Sequence, residues 1–232
     1  MKKARITLTL AVYLVSLFLC ADFSLAYEMK DYFPTGEGNI WTYKEESDNN
    51  PREKVAKIGG NESVLGIVTV KLINSDSEYG CVAIDPEGIR KFKYSEEGSY
   101  EIYNPPRLLF PNISEGEQVS ISTKISVYPA NEDKEEYTEL CTIKLEAVED
   151  VKVPAGTFSG CLKFSSISDM TQENGSQYFK NDTVTWLAPG VGVVKELNIS
   201  TERNTEESKE LTDVFLSELV SAIVEGKRIG SQ

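Results

Sequence analysis

Apolar and polar residues alternate with a period of two along much of the chain. In "VSISTKISV" Val119, Ile121, Ile125 and Val127 fall on one side and Ser120, Ser122, Lys124 and Ser126 on the other, the pattern of a strand buried on one face. "LCTIKLEAV" repeats it, with Cys141, Ile143, Leu145 and Ala147 in one row. "SVLGIVTVKLI" is apolar on both faces over part of its length, as a central strand would be. Turn-forming groups punctuate these runs: Gly59-Gly60-Asn61, Asp85-Pro86-Glu87-Gly88, Glu97-Gly98, Pro154-Ala155-Gly156, Asn174-Gly175 and Arg203-Asn204. Strands this short, joined by turns this tight, predict an antiparallel all-β domain of about ten to twelve strands.

Two stretches depart from the pattern. "YNPPRLLFPNISEGE" carries Pro105, Pro106 and Pro111, which have no N–H for a ladder, so it reads as an extended segment crossing between two halves of the sheet. In "ELTDVFLSELVSAIVEG" Leu211, Phe215, Leu219 and Ile223 recur at helical spacing, while Val214 and Leu216 suit a strand. A strand to about Leu216 followed by a short helical or frayed tail accommodates both.

"WLAPGVGVVKE", residues Trp186 to Glu196, looks like a ligand cradle but is explained by turn geometry. Pro189 presets the first central position of a type II turn and Gly190 supplies the positive φ of the second; Gly192 reads as a bulge or a close backbone approach. A phosphate loop would need more glycines, a lysine and a following helix. "VPAGTF", Val153 to Phe158, is a turn of the same kind, returning Phe158, Leu162 and Phe164 to the core.

The chain opens with Lys2, Lys3 and Arg5, an uncharged run from Ile6 to Ala21, and Ser24-Leu25-Ala26, the layout of a secretory signal peptide cleaved after Ala26. The run is short for a membrane span. Lipidation at Cys20 is disfavoured by Leu19, which stands where lipoprotein processing expects a small residue. The domain plan is therefore residues 1–26 as leader and residues 27–232 as a single antiparallel β domain, periplasmic or secreted, with no transmembrane span after processing. An outer-membrane barrel is disfavoured, because the outward positions are Lys, Glu, Ser and Thr rather than an apolar band.

Without the leader, 21 Lys and Arg stand against 36 Asp and Glu. That acidic balance argues against nucleic acid and anionic membrane surfaces as partners. Histidine is absent from the whole chain, which removes Ser-His-Asp and Cys-His catalysis and imidazole metal sites. No enzyme, metal or cofactor is expected. Cys81, Cys141 and Cys161 lack C-x-x-C spacing. The alternating face of Cys141 places it buried and reduced, leaving Cys81 and Cys161 as the candidate disulfide.

Acid pairs such as Glu45-Glu46, Glu96-Glu97, Glu132-Asp133 and Glu135-Glu136 read as solvated turn charges. "SDNNP" lacks the ligand spacing of a calcium loop. The five N-x-[ST] sequons are ordinary turn composition behind a leader of bacterial type. Trp41, Tyr43, Phe92, Tyr94, Tyr178 and Trp186 lie in predicted strands, where large aromatics serve as core fillers or as cavity liners.

Taken together, "DYFPTGEGNIWTY", "PPRLLFPNISEGE", "VEDVKVPAGTFSGCLKF" and "WLAPGVGVVKE" resemble the blocks of an uncharacterised family of bacterial exported proteins and lipoproteins, in the same order over most of residues 31 to 196. The resemblance implies a curved antiparallel sheet, half-barrel or barrel-like, distantly similar to periplasmic lipoprotein carriers; it carries over no catalytic residue. Two functions follow as expectations. In one, the sheet holds an apolar or acyl ligand, a lipid for example, near Trp41, Tyr43 and Trp186. In the alternative, the protein is a structural or interaction protein of the envelope, with a filled interior and no small ligand.

Overall fold

A computed structural model describes residues 26–47, 50–75, 77–204 and 209–230; the leader and Cys20 lie outside the described residues. After a 3₁₀ turn at Met29–Asp31 the chain forms thirteen strands: β1 (Ile40–Ser47), β2 (Asn50–Val64), β3 (Ile67–Ile73), β4 (Glu78–Asp85), β5 (Gly88–Glu96), β6 (Ser99–Pro111), β7 (Gln118–Tyr128), β8 (Glu135–Val153), β9 (Gly156–Gln172), β10 (Gln177–Ala188), β11 (Gly192–Asn204), β12 (Lys209–Val224) and β13 (Lys227–Ile229). Each pairs antiparallel with the next, and β1 also pairs with β12, Ile40 opposite Ile223 and Ser47 opposite Phe215. Twelve strands therefore close into a barrel, not the half-barrel admitted by the sequence reading. Closure removes the two exposed edges that an open sheet would present.

The expected C-terminal helix is also replaced by strand. β12 must run to Val224 to meet β1 along its whole length, and a register shift between Thr42 and Tyr43 sets Leu219 and Ala222 opposite Tyr43 and Trp41. A spacing of four also fits the period of two of a strand, which puts Leu211, Phe215 and Leu219 on one face; the bulge then buries Ala222 and Val224 and leaves Ile223 exposed. β13 then takes the edge of β12 over Ala222–Val224 on the side opposite β1.

Alternation places the faces as expected on β7 and β8. Tyr137, Glu139, Cys141, Ile143 and Leu145 are buried, while Thr138 and Leu140 between them are exposed. The type II turn is present, with Val191 N donating to Ala188 O at 3.1 Å and Gly190 at φ 66°. Two assignments change place. Gly59-Gly60 lies inside β2 at a register shift, and the supposed central strand "SVLGIVTVKLI" is a hairpin that turns at Leu65 and Gly66, both at positive φ. The proline-rich segment is the second half of β6, which pairs with β5 on one side. Its ladder to β7 covers only Tyr100–Asn104, since the prolines beyond offer no donors.

The interior is layered. A central apolar belt contains Cys141, Ile143, Leu145, Leu162, Phe164 and Leu187, and the segment before β1 adds Met29 and Phe33 to it. Trp41, Ala56, Ile58, Leu219, Ala222 and Val224 form a second cluster with the β8–β9 hairpin and the β10–β11 turn. There Ala155 N donates to Leu219 O at 2.9 Å. The candidate disulfide is not formed: Cys81 and Cys161 are free thiols packed in different clusters, and Cys141 is a third buried free thiol.

Candidate functional site: an interior cavity beside Trp41

Because side chains on β1 alternate, Trp41, Tyr43 and Glu45 all point into the barrel. They line a cavity of about 140 Å³ together with Phe33 from the N-terminal segment, Ala56 and Lys54 of β2, and Glu196 of β11. Two hydrogen bonds fix the aromatic wall. Trp41 Nε1 donates to Val191 O at 2.7 Å and Tyr43 OH donates to Val193 O at 3.0 Å. The Ala188–Val191 turn is thus a clamp for Trp41, and Gly192 lets the backbone come within ordinary contact of the indole: a Cβ there would stand 3.6 Å from its nitrogen.

Of the three aromatic candidates, the structure sets Trp41 and Tyr43 in the cavity wall, whereas Trp186 does not line the cavity and packs half-buried against the same apolar cluster. On β10 Thr185 and Leu187 are buried and Trp186, between them, faces outward. Its Nε1 donates to Glu149 Oε1 at 2.7 Å, and Lys163 and Lys195, its register partners on β9 and β11, stand 5.4 and 5.8 Å from the ring. Trp186 belongs to a belt of outer charges, completed by Lys195 Nζ on Glu218 at 2.7 Å.

Two carboxylates stand in the cavity wall: Glu196, which the sequence reading passed over, and Glu45, which it took for a solvated turn charge although the alternation that turns Trp41 and Tyr43 inward carries on to it within β1. Glu45 is buried and accepts from Arg52 Nε, with Lys54 Nζ 4.0 Å away. Thr185 Oγ1 donates to Glu196 at 3.2 Å. Burial pushes the Glu196 carboxyl above the usual range and the Glu45 charge adds to that, outweighing the Thr185 hydrogen bond and Lys54. Burial likewise pushes up the Tyr43 phenol, with Glu196 adding to it.

A carboxyl with a raised folded-state pKa holds its proton longer in the folded chain, so its contribution to stability declines as pH rises from the ordinary glutamate value through the raised one. Glu196→Gln should therefore raise the Tm at pH 7 and leave it little changed near pH 4. Thermal melts across that range check this; a Tm difference independent of pH would contradict it.

Among the described residues no group of three or more His, Cys, Asp or Glu side chains is placed to hold a metal ion, and no helix is long and apolar enough to cross a membrane. The molecule is thus a closed up-and-down β-barrel with a small, mainly apolar interior cavity. A DUF3108-like family profile matches residues 94–207, just under half of the chain. Two solved structures are similar at a distance. A candidate lipoprotein from Parabacteroides distasonis has a TM-score of 0.40 and 14% identity, covering 81% of this chain and 97% of its own. A candidate exported protein with a YmcC-like fold from Bacteroides fragilis has a TM-score of 0.33 and 13% identity, covering 81% and 98%. No curated protein matches the chain.

Proposed function

We propose that the protein is an exported, non-enzymatic carrier that holds a small apolar ligand, or the end of one acyl chain, inside the barrel against Trp41 and Tyr43. The cavity of about 140 Å³ carries this reading. Cavities of about 150 Å³ lined by apolar side chains hold a benzene-sized guest, so the space suits a few carbon atoms rather than a whole lipid. The basic, apolar and small-residue segments of the leader support export, and the absence of histidine supports binding over catalysis.

The chain has two tryptophans, so Trp186→Phe leaves Trp41 as the sole indole reporter. Titrating that variant with octanol and with octanoate should give a saturable change in Trp41 emission. No change with either probe up to the millimolar range, together with no apolar adduct in native mass spectrometry of protein purified without detergent, would sink the carrier reading. The alternative is an envelope interaction protein without a small ligand. Leu65, Ile67 and Val68 favour it: they stand largely exposed at the tip of the β2–β3 hairpin, as a docking contact would.

A further inference from the structure

A second interior cavity, of about 220 Å³, shares no lining residue with the first. Its walls carry four ionisable side chains of opposing sign: Lys91 of β5, Arg107 and Glu101 of β6, and Glu139 of β8. The two cations are register partners on adjacent strands, an arrangement that costs stability unless something else holds them. Among the described residues Lys91 has no carboxylate within ion-pair distance; its ammonium stands 4.6 Å from the Tyr103 ring centre and 5.3 Å from that of Tyr94. Burial, then the neighbouring Arg107, pushes Lys91 down to about 8, which keeps it a cation at neutral pH.

Arg107 and Glu139 satisfy each other only in part. Arg107 Nη2 meets Glu139 Oε1 at 2.9 Å, and Ser168 Oγ donates to the same oxygen. Among the described residues Arg107 Nε and Glu139 Oε2 have no hydrogen-bond partner, although only 3% of the Glu139 side chain is exposed and Arg107 also meets the Cys141 thiol. Thr123 Oγ1, on the residue paired with Glu139 in the β7–β8 ladder, is a third such atom. Burying polar atoms unpaired is costly, and two of the three, on Arg107 and Glu139, belong to residues in the wall of this one cavity, which calls for an occupant. Glu101 differs, since Tyr103 OH donates to it.

The occupant must accept from Lys91 Nζ and Arg107 Nε and also donate to Glu139 Oε2. A simple anion meets the first demand only, and it would leave an uncompensated negative charge among two cations and two carboxylates. A zwitterion meets both and adds no net charge. We infer that this cavity binds a small zwitterion of the amino-acid type, its carboxylate on Lys91 and Arg107 and its ammonium on Glu139. The route in lies beside Arg107: β6 has no ladder to β7 beyond Asn104, and about a quarter of the Arg107 side chain (24%) remains open.

Calorimetric titration of the intact protein with glycine, alanine and serine tests this, with acetate, methylamine and inorganic phosphate as comparators. At least one amino acid should bind more than tenfold tighter than acetate or methylamine. Lys91→Met removes an ammonium that no carboxylate holds, so it should fold normally by circular dichroism and lose at least tenfold in amino-acid affinity. Glu139→Gln should lose amino-acid affinity by a similar factor while any weak acetate binding persists. No amino-acid binding at millimolar concentration, acetate or phosphate binding as tightly as the amino acids, undiminished affinity in both variants, or a high-resolution structure of the soaked protein with only water in the cavity would each overturn the inference.

Discussion

Arg107→Met is expected to destabilise the protein by about 3 to 5 kcal/mol at neutral pH, the usual cost of stranding one member of a buried ion pair. Arg107 Nη2 is the cation held by Glu139, whose carboxylate is almost fully enclosed. Without it, Glu139 faces a low-dielectric interior with Ser168 as its main remaining donor. Replacing both residues, Arg107→Met with Glu139→Leu, removes the stranded charge and should recover most of the loss. Urea denaturation at pH 7 reads both effects. A loss below about 1 kcal/mol for the single variant, or no recovery in the double one, would show that the pair is solvated well enough to be dispensable.

The other large effect concerns backbone geometry. Gly88 starts β5 with φ at 140°, and a Cβ there would stand 2.1 Å from Phe110 O and 2.8 Å from Pro111 Cα. Neither is the tip of a flexible side chain, so the β5–β6 ladder itself would have to move. Asp85 Oδ1 meanwhile accepts from the N–H groups of Glu87 and Gly88, at 2.8 and 3.1 Å, which leaves the turn little freedom to adjust. Gly88→Ala should therefore cost about 3 kcal/mol or more, against about 1 kcal/mol for Gly175→Ala, whose φ is also positive but whose Cβ would meet open space. Equal losses for the two variants in the same denaturation assay would place the cost in φ alone and reject the clash.

What was legible in the sequence was local. Period-two alternation located β7 and β8 and their buried faces, and Pro189-Gly190 gave the type II turn. The same rule misleads where a strand is apolar on both sides. Val184 and Trp186 face outward and Leu187 inward, and nothing in "TVTWLA" says which row meets the core. Glycine has a matching ambiguity. Gly59 lies inside β2 where a Cβ would stand 2.5 Å from Ile73 Cδ1, a close approach rather than a turn, while the real hairpin at Leu65-Gly66 carries no Asn, Asp or Pro to announce it. Glu45 and Glu139 could have been found by extending rows already recognised, from Trp41 and Tyr43 in one case and from Cys141 and Ile143 in the other. Glu45 was instead read as a solvated charge, and Glu139 was passed over. Closure was beyond any local signal, since it pairs residues 40–47 with residues 215–223.

That closure has a consequence in the time order of synthesis. Every other ladder joins neighbours in the chain, so pairing can follow the chain as it lengthens, one hairpin at a time. β1 is made among the first elements, yet its second partner is β12, and β11 likewise waits for that strand. Through most of its assembly the growing sheet therefore carries two raw edges, the features most prone to pair with a foreign chain. β12, the last strand of the barrel wall, seals both.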